Sequence, residues 1–218
     1  MFWMAYVIII TMTNTAVSQD LLEACHQDGC PVCRLEHAAD LRYIDRLFYE
    51  RVNEYELRVH LRASLGFCHN HSRMANEEIH AKALGVAIIY DDLLRVVLEQ
   101  TGKSRPSLSI DKKCPVCENQ SQVTARIFLD LTKHINSEEL QAALRSSRGL
   151  CFSHLRHALG VMRDTNARNL LLQIQREIIT ALRAELAEYI RKNDYRFIGE
   201  EIGPERDAWI RALKMGGG

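Results

Sequence analysis

The feature that most constrains this chain is a metal-ligand pattern that occurs twice. Cys30-Pro31-Val32-Cys33 is followed 35 positions after its second cysteine by Cys68-x-x-His71. Cys114-Pro115-Val116-Cys117 is followed 34 positions on by Cys151-x-x-His154. The repetition reaches beyond the ligands. Residues 53–68 lie over residues 136–151 without a gap, with Asn, Glu, Leu, Leu, Arg, Ser, Gly and Cys recurring in register. Self-similarity of this kind marks a chain built from two copies of one unit. We read residues 17–103 as the first unit, 104–113 as a linker, 114–190 as the second unit and 191–218 as a C-terminal extension.

Each unit reads as helical, which predicts an all-α tandem duplication with metal sites at helix ends. Leu41, Ile44, Phe48, Val52, Tyr55 and Val59 step by three and four, as do Ile79, Ala83, Val86, Ile89, Leu93 and Val97. In the second copy Leu171, Ile174, Ile178, Leu182, Leu186 and Tyr189 repeat the pattern. No stretch alternates apolar and polar residues as a half-buried strand would. With 4 prolines and 11 glycines in 218 residues, a many-turned β fold is disfavoured.

Length then requires a bend. A straight helix from Arg34 to Ser64 would run about 45 Å at 1.5 Å per residue. If Cys68 is to share an ion with Cys33, the stretch must turn back. Asn53-x-x-Glu56 and Asn136-x-x-Glu139 read as N-caps with a glutamate at the third helical position. The expectation is a helix of about 17 residues and a return helix of about 10, broken at Asn53 and Asn136. Spacing alone leaves open whether each site closes within one unit or pairs Cys30 and Cys33 with Cys151 and His154.

The residue types suit a structural zinc ion, which takes four thiolate or imidazole ligands in a tetrahedron, Cys3His being a standard set. The expected ligands are Cys30, Cys33, Cys68, His71, Cys114, Cys117, Cys151 and His154, two Zn2+ sites in all. Cysteines at helix starts gain thiolate character from backbone N–H groups. Four ligands close a site and leave no position for a substrate, so no catalytic residue is assigned. An iron–sulfur cluster is the alternative cofactor, because Cys25-x4-Cys30-x2-Cys33 with Cys68 downstream fits the plant-type [2Fe–2S] spacing. The position matching Cys25 in the second copy is Ser109, which breaks that pattern. Free thiols and a thioredoxin-like dithiol are weaker readings, the latter for want of a βαβ context.

Other residues carry weaker signals. Cys25 reads as a packed small apolar residue, and His69 and His157 as surface groups or supports for the ligands. Glu23-x-x-His26 and Glu77-x-x-His80 resemble the pairs of di-iron bundles, a spacing that chance supplies about once here. Asp91-Asp92 reads as a solvated helix face. The apolar tail from Tyr195 to Trp209 is expected to dock on its own helices, a protein partner being the alternative.

Composition narrows the function classes. Lysine plus arginine and aspartate plus glutamate number 28 each, and this zero balance argues against nucleic-acid binding. Residues 1–16 form an apolar segment with no basic residue before Arg34. It has neither a signal peptide's positive start nor a membrane span's length, so no membrane association is expected. An over-long reading frame with its true start at Met12 is an equal reading. Seven cysteines without a secretory signal point to a reducing compartment, the cytoplasm. Oligomeric state is not legible.

The two Cys-Pro-Val-Cys motifs, Gly66-Phe67-Cys68 with His71, Gly149-Leu150-Cys151 with His154, and Lys192-Asn-Asp-Tyr-Arg196 carry a resemblance. The chain resembles a family of uncharacterised bacterial proteins, a domain of unknown function with this duplicated pattern over nearly its whole length. The resemblance implies a bacterial or archaeal soluble metalloprotein and transfers no activity.

Overall fold

The computed structural model describes residues 19–77, 83–197 and 199–217. The apolar segment 1–16, Met12 and His80 lie outside the described residues. Ten α-helices follow one another with no strand among the described residues: α1 (Gln19–Cys25), α2 (Pro31–Glu50), α3 (Tyr55–Ala63), α4 (His69–Glu77), α5 (Ala83–Thr101), α6 (Pro115–His134), α7 (Glu138–Ser146), α8 (Phe152–Val161), α9 (Thr165–Lys192) and α10 (Ala208–Gly217). Short 3-10 turns, Tyr195–Phe197 and Pro204–Asp207, lie between α9 and α10. The fold is all-α and duplicated, as the periodicity predicts. None of the described helices is long and apolar enough to cross a membrane.

The two halves follow one plan. Pro31 and Pro115 open α2 and α6, where a missing N–H costs nothing, and the preceding Cys30 and Cys114 occupy the N-cap positions. Both helices run 20 residues and both return helices, α3 and α7, run 9. The predicted bends are present, but each cap sits one residue later than the asparagine. In the first copy Glu54 caps α3 without a side-chain hydrogen bond. In the second copy Ser137 caps α7, its hydroxyl accepting from the Leu140 N–H. The apolar stripe also changes phase at the first bend. Tyr55 is 72% exposed, and Leu57 and Leu61 turn inward instead. The return helix packs an independent face, so the α2 stripe does not continue into it.

Two hydrogen bonds fix how α2 and α6 lie together. Gln120 Nε2 donates to Asp40 Oδ2 at 2.8 Å, and the Thr124 hydroxyl donates to Glu36 Oε1. As the α6 number rises the α2 number falls, so the two helices are antiparallel. Each N-terminus therefore lies beside the other unit. Val32 is buried in a core made with Phe128, Leu131, Ile135, Leu140 and Leu150 of the second copy. Val116 is buried with Ile44, Leu47, Phe48, Leu57 and Leu61 of the first. Residues 102–113 carry no helix, yet the amides of Asp111 and Lys112 bond the Ala63 carbonyl at 2.8 and 3.2 Å, strapping this stretch to α3.

The carboxylate pair Asp91-Asp92 divides. Asp91 is exposed, whereas Asp92 is buried and bonded by Arg62 at 2.6 and 2.8 Å and by Arg95 at 2.9 Å, which joins α3 to α5. The two arginines neutralise the charge that burial would otherwise make costly. The C-terminal extension docks on its own chain. Ala208 and Met215 of α10 bury against Leu182, with Ile178, Ile179 and Leu186 alongside. Lys192 of α9 pairs with Glu205 at 2.8 Å, and Lys214 reaches Asp28 at 2.6 Å.

Candidate metal centres

A left-handed glycine sets the turn before each Cys-x-x-His. Gly66 and Gly149 have φ of +89° and +72°, a region costly for side chains with a Cβ. At Gly149 an added Cβ would stand 2.9 Å from Gln175 Oε1. That glutamine accepts from the Leu150 N–H and donates to the Leu150 carbonyl, both at 2.9 Å, and so holds the backbone next to Cys151. Cys151 then caps α8, with His154 three positions on. Cys68 directly precedes α4, and His71 lies in its first turn. All four motif halves thus sit at helix N-termini, where backbone N–H groups and the helix dipole favour anionic sulfur.

The eight predicted ligand residues converge, four and four, with the units crossed. Cys30 and Cys33 at the start of α2 meet Cys151 and His154 at the start of α8. Cys114 and Cys117 at the start of α6 meet Cys68 and His71 at the start of α4. Within each group all ligand atoms lie within 4.8 Å of one another. Antiparallel α2 and α6 explain the crossing. The α2 helix spans about 30 Å and its return helix α3 only about 14 Å, so Cys68 comes back about half-way along α2. That is the level at which α6 begins, since Gln120, three past Cys117, bonds Asp40. Cys33 is out of reach, and Cys117 is adjacent. The bend therefore exists, but it delivers Cys68 to the other unit's cysteines.

In the first group His154 Nδ1 is 3.6, 3.2 and 3.2 Å from the sulfurs of Cys30, Cys33 and Cys151, and Cys33 Sγ is 3.7 Å from Cys151 Sγ. In the second, His71 Nδ1 is 3.2, 3.7 and 3.3 Å from Cys68, Cys114 and Cys117, and the Cys68 and Cys117 sulfurs are 3.6 Å apart. A tetrahedral ion with metal–sulfur bonds of about 2.3 Å and metal–nitrogen bonds of about 2.0–2.1 Å needs sulfur–sulfur edges of about 3.8 Å and sulfur–nitrogen edges of about 3.5 Å. Both groups can hold a metal ion. All seven cysteines are free thiols.

Behind each imidazole stands a carboxylate that sequence reasoning missed. His154 Nε2 lies 3.1 Å from Glu36 Oε2, and His71 Nε2 lies 3.3 Å from Asp40 Oδ2. Such a pair presents Nδ1 to the ion and keeps the proton on Nε2. Glu36 and Asp40 fall three and seven positions after Cys33, matching Gln120 and Thr124 after Cys117. That matched polar spacing was the available signal, masked because acidic residues on helices are ordinarily solvated. Asp40 is 1% exposed, and its Oδ1 has no hydrogen-bond partner among the described residues. A buried carboxylate so placed calls for positive charge across the imidazole.

Crowding of these side chains shifts their proton affinities in opposite directions. The hydrogen bond to Asp40, then that to Cys114, raises His71 to about 10. Burial opposes the charge on His154, yet Cys30 and Glu36 lift it to about 10. Burial also opposes the Cys114 thiolate, but His71 and nearby backbone N–H groups bring it down to about 7. Its neighbour Cys117 is pushed up to about 12 by burial, then by Cys68 and the charge on Cys114. Cys151 rises to about 12 through its bond with Cys30, then burial. Three thiolates cannot share so small a space unless a cation stands in for the protons.

The remaining candidates fall outside both groups. Cys25 is 1% exposed in the core with Leu21 and Leu22, its thiol pushed up to about 11 by burial. The plant-type set Cys25, Cys30, Cys33 and Cys68 is not assembled, because Cys68 belongs to the other centre. His69 and His157 are exposed, His157 resting edge-on against Phe128 at 5.0 Å. Glu23, His26 and Glu77 are exposed and belong to neither group.

The sequence profile of a family of unknown function, DUF6062, matches this chain twice, over residues 12–109 and 103–218. The chain belongs to DUF6062. It is also similar to an uncharacterized 23.9 kDa protein in the xynA 3' region of Caldicellulosiruptor sp. (strain Rt8B.4). The two are 28% identical over 206 residues, covering 89% of this chain and 98% of that one. No solved structure matches.

Proposed function

We propose that this DUF6062 protein binds two zinc ions as structural clamps and acts as a non-enzymatic interaction or regulatory protein of the cytoplasm. The observation that carries the reading is the one-ion spacing of three sulfurs and one imidazole nitrogen in each group, all within 4.8 Å. A two-iron cluster divides its ligands between two metals and spreads them farther apart. Thiolate and imidazole together suit zinc, and four protein ligands complete its tetrahedron without an open position for substrate. Cys30, Cys33, Cys151 and His154 would hold one ion, and Cys68, His71, Cys114 and Cys117 the other. Each ion would tie helix starts from different units and add its binding energy to folding. A reducing compartment keeps these thiols available.

Elemental analysis of protein purified without oxygen tests this directly. Two zinc ions per chain are expected. Iron with acid-labile sulfide would replace zinc by a redox cluster, and a metal-free folded protein would remove the reading altogether.

A further inference from the structure

Between the two centres runs a polar bridge that belongs to neither ligand set. Glu36 and Asp40 lie one turn apart on α2, and Gln120 and Thr124 lie one turn apart on α6. From one end the order is His154, Glu36, Thr124; from the other it is His71, Asp40, Gln120. Thr124 also lies 2.8 Å from the backbone carbonyl of Gln120, which joins the two arms within one helical turn. Both orienting carboxylates come from α2, although α2 supplies cysteines to only one centre. Gln120 and Thr124 belong to neither group, yet each holds a carboxylate that lies against a group's imidazole. Thr124 and Asp40 are buried, and the Glu36 side chain is 13% exposed, so the bridge is largely shielded from water.

We propose that Glu36 and Asp40 are positioning residues which, tied through Thr124 and Gln120, couple the two metal centres so that the first ion raises affinity for the second. This inference rests on the two-ion reading above. An ion at Cys30, Cys33, Cys151 and His154 fixes His154 and, through it, Glu36 and the start of α2. Asp40, one turn further along, is then set at the distance His71 requires, with Gln120 holding it from α6. The second ion meets an imidazole already oriented, and the ordering cost has been met once. Because the α2–α6 contact is shared, the coupling is reciprocal whichever centre fills first.

Native mass spectrometry of the full-length, metal-free chain titrated with zinc reads this as a distribution of species. Two independent sites, whatever their affinities, give at least half of the molecules singly loaded at half-saturation. Coupling of about tenfold between sites of similar affinity, within the usual range of about 5–150-fold, lowers that share to about a quarter. The expected result for the unaltered protein is a singly loaded share well below half. In Gln120→Met combined with Thr124→Val, both ions should still bind at saturation, while the singly loaded share rises to half or more. A share in the unaltered chain that is at or above half and no smaller than that of the double variant overturns the coupling. A low share that the double variant leaves unchanged overturns the bridge as its carrier. Absence of zinc binding would overturn the two-ion reading and the coupling with it, a failure distinct from independent loading of two ions.

Discussion

Crossing of the units makes a prediction that a within-unit arrangement reverses. Consider two double variants that both include Cys33→Ser. Adding Cys151→Ser removes two ligands from one centre and leaves Cys68, His71, Cys114 and Cys117 complete. Adding Cys68→Ser instead takes one ligand from each centre, although Cys33 and Cys68 belong to the same repeat. A structural zinc site contributes roughly 10–16 kcal/mol of apparent binding energy, so each of four ligands is worth about 2.5–4 kcal/mol. Loss of one therefore weakens binding on the order of a few hundredfold. A competing chelator set between the two affinities strips three-ligand centres and spares complete ones. Elemental analysis after that challenge should find one ion per chain in Cys33→Ser/Cys151→Ser and none in Cys33→Ser/Cys68→Ser. The opposite pattern would mean that each site closes within its own repeat, and the crossed geometry would be wrong.

Three further outcomes follow from named contacts. Cys117 and Cys151 are held protonated to about 12, and His71 and His154 to about 10, so near neutral pH each ion must displace at least two protons. Zinc affinity should climb steeply with pH, and calorimetry in buffers of different ionisation enthalpy should count at least two protons released per ion. Gly149→Ala places a Cβ against the Gln175 amide at a φ of +72°, a cost of about 1–3 kcal/mol. Denaturant unfolding should register it, and zinc should leave the Cys151 centre before the other. Glu205 is pulled down from its ordinary 4.5 to about 2, first by its bond with Lys192 and then by backbone N–H groups. Its contribution is thus present above about pH 4.5 and fades as pH falls toward 2. Trp209 fluorescence should report loosening of the C-terminal extension over that window, and Glu205→Gln should flatten the change.

Local chemistry is what the sequence makes plain. The Cys-x-x-Cys and Cys-x-x-His pairs are legible because each needs only a few residues of helix start, with proline or glycine to shape the turn. The helical periods of α2, α5 and α9 are legible for the same reason. Cys25 reads correctly as core because no counterpart occupies Ser109. Less local properties do not show. Asp92 is read as solvated because its partner Arg62 lies on another helix, and Tyr55 is read as core because the stripe is assumed to keep its phase through the bend. Glu36 and Asp40 read as solvated in spite of their matched spacing with Gln120 and Thr124, because only the packing of α2 on α6 buries them.

The sequence by itself determined the duplication, the eight Cys and His residues that converge in the fold, and the need for a bend near residues 53 and 136. Which four ligands share a centre was decided only by tertiary structure. A return helix of 9 residues cannot retrace one of 20, so Cys68 stops half-way along α2. The antiparallel pairing of α2 with α6 brings the other unit's cysteines to that level, and each centre closes across the duplication.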